Sequence, residues 1–196
     1  MATLASLTAD LYTITKRPDL VDATQIHLKN ALIKAHGSDF YLRDIFETNF
    51  SFGLAASVYQ LEYRALIPRF RTIKYLTTIN PITLDFVRKL EGISIEKFMD
   101  GFGYLRTDSY YLAGNNLQIR VSDNSKVFGI GCYLYPDTTL VSPSWIADEI
   151  PFAIIYEAAR TLFKSIGFDE QSSAMQGLVN EAFAQVRMVG LTTTGE

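Results

Sequence analysis

The sequence predicts an α+β fold in which terminal helices pack as a helical bundle and carry a large antiparallel β-insertion. Three observations predict it. Apolar residues recur at spacings of three and four near both ends of the chain, as in helices with one buried face. From about residue 40 to residue 142 the composition shifts to Tyr, Phe, Ile, Val and Thr punctuated by Gly, Asn and Pro, which favours strands. No repeat, low-complexity run or linker separates these parts. The bundle is therefore expected from residues 1–38 and 144–189, the β-rich insertion from 39–143, and a flexible tail from 190–196.

Each element has its own reason. Residues 3 to 15 read as a helix with Leu4, Leu7, Leu11 and Ile14 on one stripe. A second helix is expected to open at Pro18, whose fixed φ suits a first turn. Asp19 and Asp22 lie at its positive end, and His36 with Gly37 at its close. Its buried face would run through Leu20, Thr24, Leu28, Ala31, Leu32 and Ala35. Strands are expected near 42–50, 56–63 and 69–79, and residues 80 to 92 carry no clear period. "SIEKFMDGFG" reads as a short helix capped by Ser94. In "SYYLAGNNLQIRVSDNSKVFGIGCYLYP" the turns at Gly114–Asn115–Asn116 and Asp123–Asn124–Ser125 predict a three-stranded meander over 109–135.

Helix then returns. Pro151 suits a helix start, and Phe152, Ile155, Tyr156, Ala159, Leu162, Phe163 and Ile166 form its apolar stripe. Gly167 is placed for a left-handed cap, Phe168 to pack back onto the helix end, and Asp169 to cap the next helix. There Met175, Leu178, Val179, Ala182, Phe183 and Val186 repeat the spacing.

Composition narrows the function. With 196 residues the chain can form one domain that buries roughly 70% of its unfolded surface. Apolar residues make up 48% and charged residues 20%, which suits a folded chain rather than a disordered one. A net charge of −3 argues against a dedicated nucleic-acid binder. One cysteine, Cys132, permits neither an intramolecular disulfide nor a cysteine metal cluster. The opening "MATLASLTADLYTITKR" lacks the basic start and apolar run of a secretory signal, and no stretch approaches the ~20 consecutive apolar residues of a membrane span. A reducing, aqueous compartment, or a particle assembled there, is expected.

Reactive chemistry is sparse. His27 and His36 lie nine residues apart on one expected helix, so at about 100° per residue they point in opposite directions, as surface or helix-end histidines. No Gly-x-Ser-x-Gly elbow, His-Glu-x-x-His, Cys-x-x-Cys, calcium loop or Walker-type phosphate loop is present. "GFGYL" at 101–105 has a Gly-x-Gly without the third glycine of a dinucleotide fingerprint. Asp44 with Glu47, and Asp148 with Glu149, are carboxylates close in sequence, a spacing that capping and solvated acids also show. No cofactor or metal is implied.

"YRALIPRFRTIKYL" says more. If 69–76 is extended, Arg69, Arg71, Ile73 and Tyr75 share one face, and Phe70, Thr72, Lys74 and Leu76 the other, with Arg64 just upstream. Such a segment fits nucleic-acid phosphates or an acidic protein surface, and equally a strand edge protected by charge. A small nucleic-acid-binding or regulatory protein using Arg64–Lys74 is the alternative function.

The order of parts, with "LIPRFRTIKYL", "RTDSYYLAGNNLQIR" and "IPFAIIYEAARTLFKSIGFDEQSSAMQGLVNEAFAQVR", resembles the head-to-tail adaptors of tailed bacteriophages, including the tubular-tail type of short-tailed phages. The resemblance covers nearly the whole chain and rests on layout, because that family has no strict catalytic motif. It implies a non-enzymatic virion protein, assembled in the host cytoplasm, forming a homo-oligomeric ring that is usually twelve-fold (a dodecamer). The ring lies beneath the portal protein, extends the channel through which double-stranded DNA passes without sequence-specific binding, and docks the tail nozzle. No membrane is involved. Under this resemblance Arg64, Arg69, Arg71 and Lys74, with the tail residues Gly190, Leu191 and Thr192, are the partner-interface candidates.

The stripes also make a stability prediction. Phe163→Ala and Phe183→Ala should each lower the unfolding free energy by about 3–5 kcal/mol in urea denaturation. Unchanged melting of either variant would place that ring outside the core.

Overall fold

The computed structural model describes residues 2–99, 107–123, 125–142 and 144–192, except the side chains of Leu191 and Thr192. The Gly-x-Gly at 101–103, Asn124 of the expected turn and the tail beyond 192 lie outside these residues. The chain forms two compact units, a helical one from Met1–Asp44 with Tyr135–Glu196 and a β-rich one from Ile45–Leu134. The α+β class and the insertion hold, and the insertion is shorter at both ends than the expected 39–143.

In the helical unit, α1 (Leu4–Thr15) opens on a reciprocal cap. The Ser6 N–H donates to Thr3 Oγ1 at 3.1 Å, and the Thr3 N–H donates to Ser6 Oγ at 3.0 Å. The second helix, α2 (Val21–Gly37), begins three residues later than Pro18 predicts. Arg17 grips the Asp19 carboxylate with two hydrogen bonds of 2.8 Å, and the Leu20 N–H turns back to the Arg17 carbonyl. Pro18 and Asp19 therefore form a turn ahead of the helix. Short α5 (Trp145–Glu149) is capped by Ser144, and α6 (Pro151–Ser165) follows with Pro151 at its first position.

The junction between α6 and α7 (Asp169–Thr192) follows from three residues. Gly167 takes the left-handed conformation at φ +80°, where a side chain would be strained. That lets the Phe168 N–H reach the Phe163 carbonyl at 2.9 Å and the Gly167 N–H the Lys164 carbonyl at 3.3 Å. The Phe168 ring then stacks on Phe163, closing a Schellman cap with its apolar contact.

α6 packs against α1, α2, α5 and α7. Ala153, Ala158 and Ala159 are fully buried on it and let its neighbours approach closely. Phe163 and Phe183 both lie in the core. Phe152 and Leu178, expected on the apolar stripes, are exposed. The flexible tail expected from 190 also needs correction, because α7 runs through Thr192. Gly190 is buried there, and a Cβ at that position would come within 2.1 Å of the Tyr41 ring. The missing side chain admits Tyr41, which is fully buried.

The β-unit contains two four-stranded sheets. One orders β1 (Ile45–Ser51), β8 (Val127–Leu134), β3 (Phe70–Ile79) and β4 (Phe86–Lys89). The other orders β2 (Val58–Glu62), β7 (Asn116–Arg120), β6 (Ser109–Ala113) and β5 (Glu91–Gly92). Phe128, Ile130 and Leu76 from the first share a core with Tyr59, Leu117 and Ile119 from the second. α3 (Tyr63–Leu66) precedes β3, and α4 (Ile95–Met99) packs on β6, where Phe98 meets Tyr111 at 4.5 Å.

Two expectations change here. β6 and β7 do form a hairpin at Gly114, which has φ +60°, but β8 pairs with β1 and β3 in the other sheet, so the meander over 109–135 is two strands and a crossing. The Asp123 carboxylate accepts the Ser125 N–H at 3.0 Å, a local turn that redirects the chain. The cause is β8's composition. Phe128, Ile130 and Cys132 face the shared core while Gly129 and Gly131 leave the opposite face to Ile79, Thr77 and Tyr75, an arrangement suited to a central strand. The insertion is also not wholly antiparallel, since β5 pairs with β6 in parallel.

Two glycines in α7 should behave oppositely. Gly190→Ala should destabilise the protein by about 1–3 kcal/mol through overpacking on Tyr41. Gly177→Ala meets nothing within 4 Å and should stabilise it by about 0.4–1 kcal/mol, both measured by urea unfolding.

Candidate functional site

The bases from Arg64 to Lys74 do not line one strand face. Arg64 is exposed on α3, its guanidinium 6.0 Å from the Tyr63 ring centroid, and Arg69 is exposed in the turn before β3. Arg71 is half-buried at the start of β3, and Lys74 extends over the Tyr133 ring at 6.0 Å. Register shifts between Phe70 and Thr72 and between Ile73 and Tyr75 explain the scatter. They bring Phe70, Ile73 and Leu76, spaced by three, onto the core face, and strict alternation fails. Of the tail candidates, Gly190 is buried under Tyr41, and Leu191 and Thr192 belong to the last turn of α7.

The most developed surface lies on the outer face of the β1-β8-β3-β4 sheet. Gly129 and Gly131 of β8 make a trough there, and the Tyr75 ring lies across Gly131. The Tyr75 hydroxyl donates to the Glu47 carboxylate on β1. Burial, this hydrogen bond and the carboxylate charge push the Tyr75 phenol up to about 12, so it stays a donor across the physiological range. A cavity of about 310 Å³ opens beside the pair, lined by Asn49, Thr77, Leu84 and Phe86. An adjoining groove of about 610 Å³ is lined by Phe52, Pro81, Ile82 and Val87.

The loop between β3 and β4 shapes both. The Asn80 side chain accepts the N–H groups of Ile82 and Thr83, and its carbonyl accepts the Leu84 N–H at 2.9 Å. This fixed loop displays Ile82 at 89% exposure, followed by Leu84, Phe86 and Val87, all exposed. Sequence reasoning missed these four residues. A four-residue strand beside a turn offers no period, although the run of large apolar residues around Asn80–Pro81 was visible.

The helical unit holds a second constellation. His36, expected at a surface or helix end, ends α2 but is buried. Its Nδ1 donates to the Asp44 carboxylate at 2.9 Å, and its Nε2 shares a hydrogen bond of 2.9 Å with the Ser144 hydroxyl. The Trp145 indole N–H also donates to Asp44, at 2.8 Å. The connectivity is that of a serine–histidine–aspartate triad. Ser144 is 6% exposed and its Oγ also accepts the Ala147 N–H at 3.2 Å, so the hydroxyl serves as the cap of α5. His27 is half-buried on α2, and burial lowers its pKa.

Other titratable groups are similarly committed. The expected carboxylate pairs separate, with Glu47 on Tyr75 and Glu149 on Arg43 at 2.6 Å. Burial pushes the Cys132 thiol up to about 11, away from the reactive thiolate. Among the described residues no three His, Cys, Asp or Glu side chains gather as a metal ion would require, and no described helix is long and apolar enough to cross a membrane. No protein-family model matches the chain, and no curated protein is detectably similar to it in sequence.

Glu157 on α6 gives a pH prediction. Its buried carboxylate accepts from Lys34 at 2.7 Å and from Arg160 at 2.8 Å. Burial opposes ionisation, but these hydrogen bonds outweigh it and hold the group below its ordinary pKa. The stability it contributes should be full above the unfolded value of about 4.3 and be lost as pH falls through the lower folded value. Glu157→Gln should cost about 1–3 kcal/mol at neutral pH and flatten the acid limb of a stability–pH curve measured by urea unfolding.

Proposed function

We propose that this chain is a structural subunit of a head-to-tail adaptor in a tailed bacteriophage, one of a ring of copies between the portal of the head and the tail. The observation that carries this reading is the apolar surface of the helical unit. Ile26 and Ile33 on α2, Phe152 on α6, and Leu178 and Met188 on α7 are all exposed. Ile26 and Ile33 are seven residues apart, so they form one outward stripe on α2. Exposed apolar side chains, where they gather into a patch, suit a surface that other protein covers.

The layout gives further support. Helices from both ends of the chain form one unit that a β-insertion interrupts in sequence, the layout the resemblance to phage adaptors implies. A subunit in a ring presents two different surfaces to its two neighbours, and closure follows when the rotation between copies is fixed. The slight acidity of the chain suits a channel for DNA, because a strongly basic lumen would hold the phosphates. Portal and tail nozzle are the partners of this reading, with the virion's head–tail junction as its location and assembly in the host cytoplasm.

Peptide mass spectrometry of purified phage particles tests it. The chain is expected in mature particles at a copy number close to that of the portal protein. Its absence from particles would overturn the adaptor reading.

A further inference from the structure

We infer that neighbouring copies join through their sheets, the β4 edge of one subunit pairing with the β1 edge of the next so that the β1-β8-β3-β4 sheet continues from copy to copy. The inference rests on the ring reading above and specifies its contact.

Both strands end their sheet, with no described strand on their outer sides. The free backbone groups follow from the pairing already made. The Phe52 N–H donates to the Lys126 carbonyl, so strand alternation turns the N–H groups of Glu47, Asn49 and Ser51 away from β8. Likewise the Leu90 N–H donates to the Leu76 carbonyl, which turns the N–H of Lys89 away from β3. A row of such groups is a template for another strand, and proteins usually protect it with charge, proline or a cover. Here β4 shows exposed Phe86 and Val87 beside its two bases, and β1 shows exposed Phe46 beside its one acid.

Charge selects a second copy as the occupant. β1 carries Glu47 and no base, whereas β4 carries Arg88 and Lys89 and no acid. Arg88 is already paired with Asp108 and Asp123, but Lys89 is exposed. Lys89 is registered with Thr77 and Glu47 with Gly131, while Thr77 pairs with Gly129, so both side chains lie on the outer face. A continued sheet brings them to one side as a cross-strand pair of opposite charge. Two β1 edges, or two β4 edges, would instead oppose like charges.

Disulfide scanning tests this in the full chain, whose native Cys132 is buried. Lys89→Cys is combined in turn with Glu47→Cys, Asn49→Cys and Ser51→Cys, and concentrated protein is oxidised gently. At least one double variant should give a covalent ladder extending beyond dimer on denaturing gels, and single variants should stop at dimer. The second measurement is a charge swap. Glu47→Lys should weaken assembly at least tenfold by light scattering, and Glu47→Lys combined with Lys89→Glu should restore it. Rings seen by electron microscopy with no ladder from any pair would overturn the edge pairing and leave the ring reading intact. Monomers alone, with neither ladder nor rings, would also overturn the pairing, and particle stoichiometry would then decide the ring reading separately.

Discussion

The helical unit depends on the burial of α6. The chain leaves this unit at Asp44 and re-enters it at Tyr135, so its two halves are held together by packing rather than by local sequence. α6 supplies that packing with contacts to α1 and α2 from the first half and to α5 and α7 from the second. Its alanines bring the neighbouring backbones close, and its one strongly buried charge, Glu157, is satisfied by Lys34 of α2 and Arg160 of its own helix. A buried carboxylate is costly without such partners. Here the Lys34 pairing joins residues that are 123 positions apart in sequence, which ties the two halves by charge as well as by apolar contact.

β8 plays the corresponding part in the β-unit. It is flanked by β1 and β3 and faces the shared core with every second residue, while its two glycines leave the opposite face low enough for Tyr75 and Thr77 to lie across it. One strand thus provides a core and a trough. A methyl group on Gly129 would press on the Ile79 and Thr77 side chains and one on Gly131 on the Tyr75 ring, so the trough and the central position of β8 have the same origin.

The long helices α1, α2, α6 and α7 and the cap at Gly167 were legible in the sequence because local rules decide them, whereas short α3 and α5 were not. Apolar spacing set the buried faces of α2, α6 and α7, and a glycine followed by phenylalanine was enough to name the turn between the last two. What escaped reading was decided at long range. The departure of β8 from its hairpin neighbour depends on β1, more than seventy residues earlier. The bulges in β3 broke the strict alternation expected over 69–76, and nothing in a strand's own sequence announces a bulge. Gly190 looked like the start of a loose tail because its reason for being glycine, the Tyr41 ring, lies 149 positions away. The His36, Asp44 and Ser144 cluster was invisible for the same cause.

The unlike edges of the first sheet bear on what assemblies are open to this chain. A two-fold dimer uses the same patch twice, so an edge carrying one sign of charge meets itself. β1, with its single acid, and β4, with its two bases, are each poor partners for themselves and good partners for one another. An assembly built on that preference leaves one free edge on each end copy and grows until the last meets the first or the filament extends without limit. The twist of a sheet adds a rotation at each step. Closure is then a property of the angle between copies.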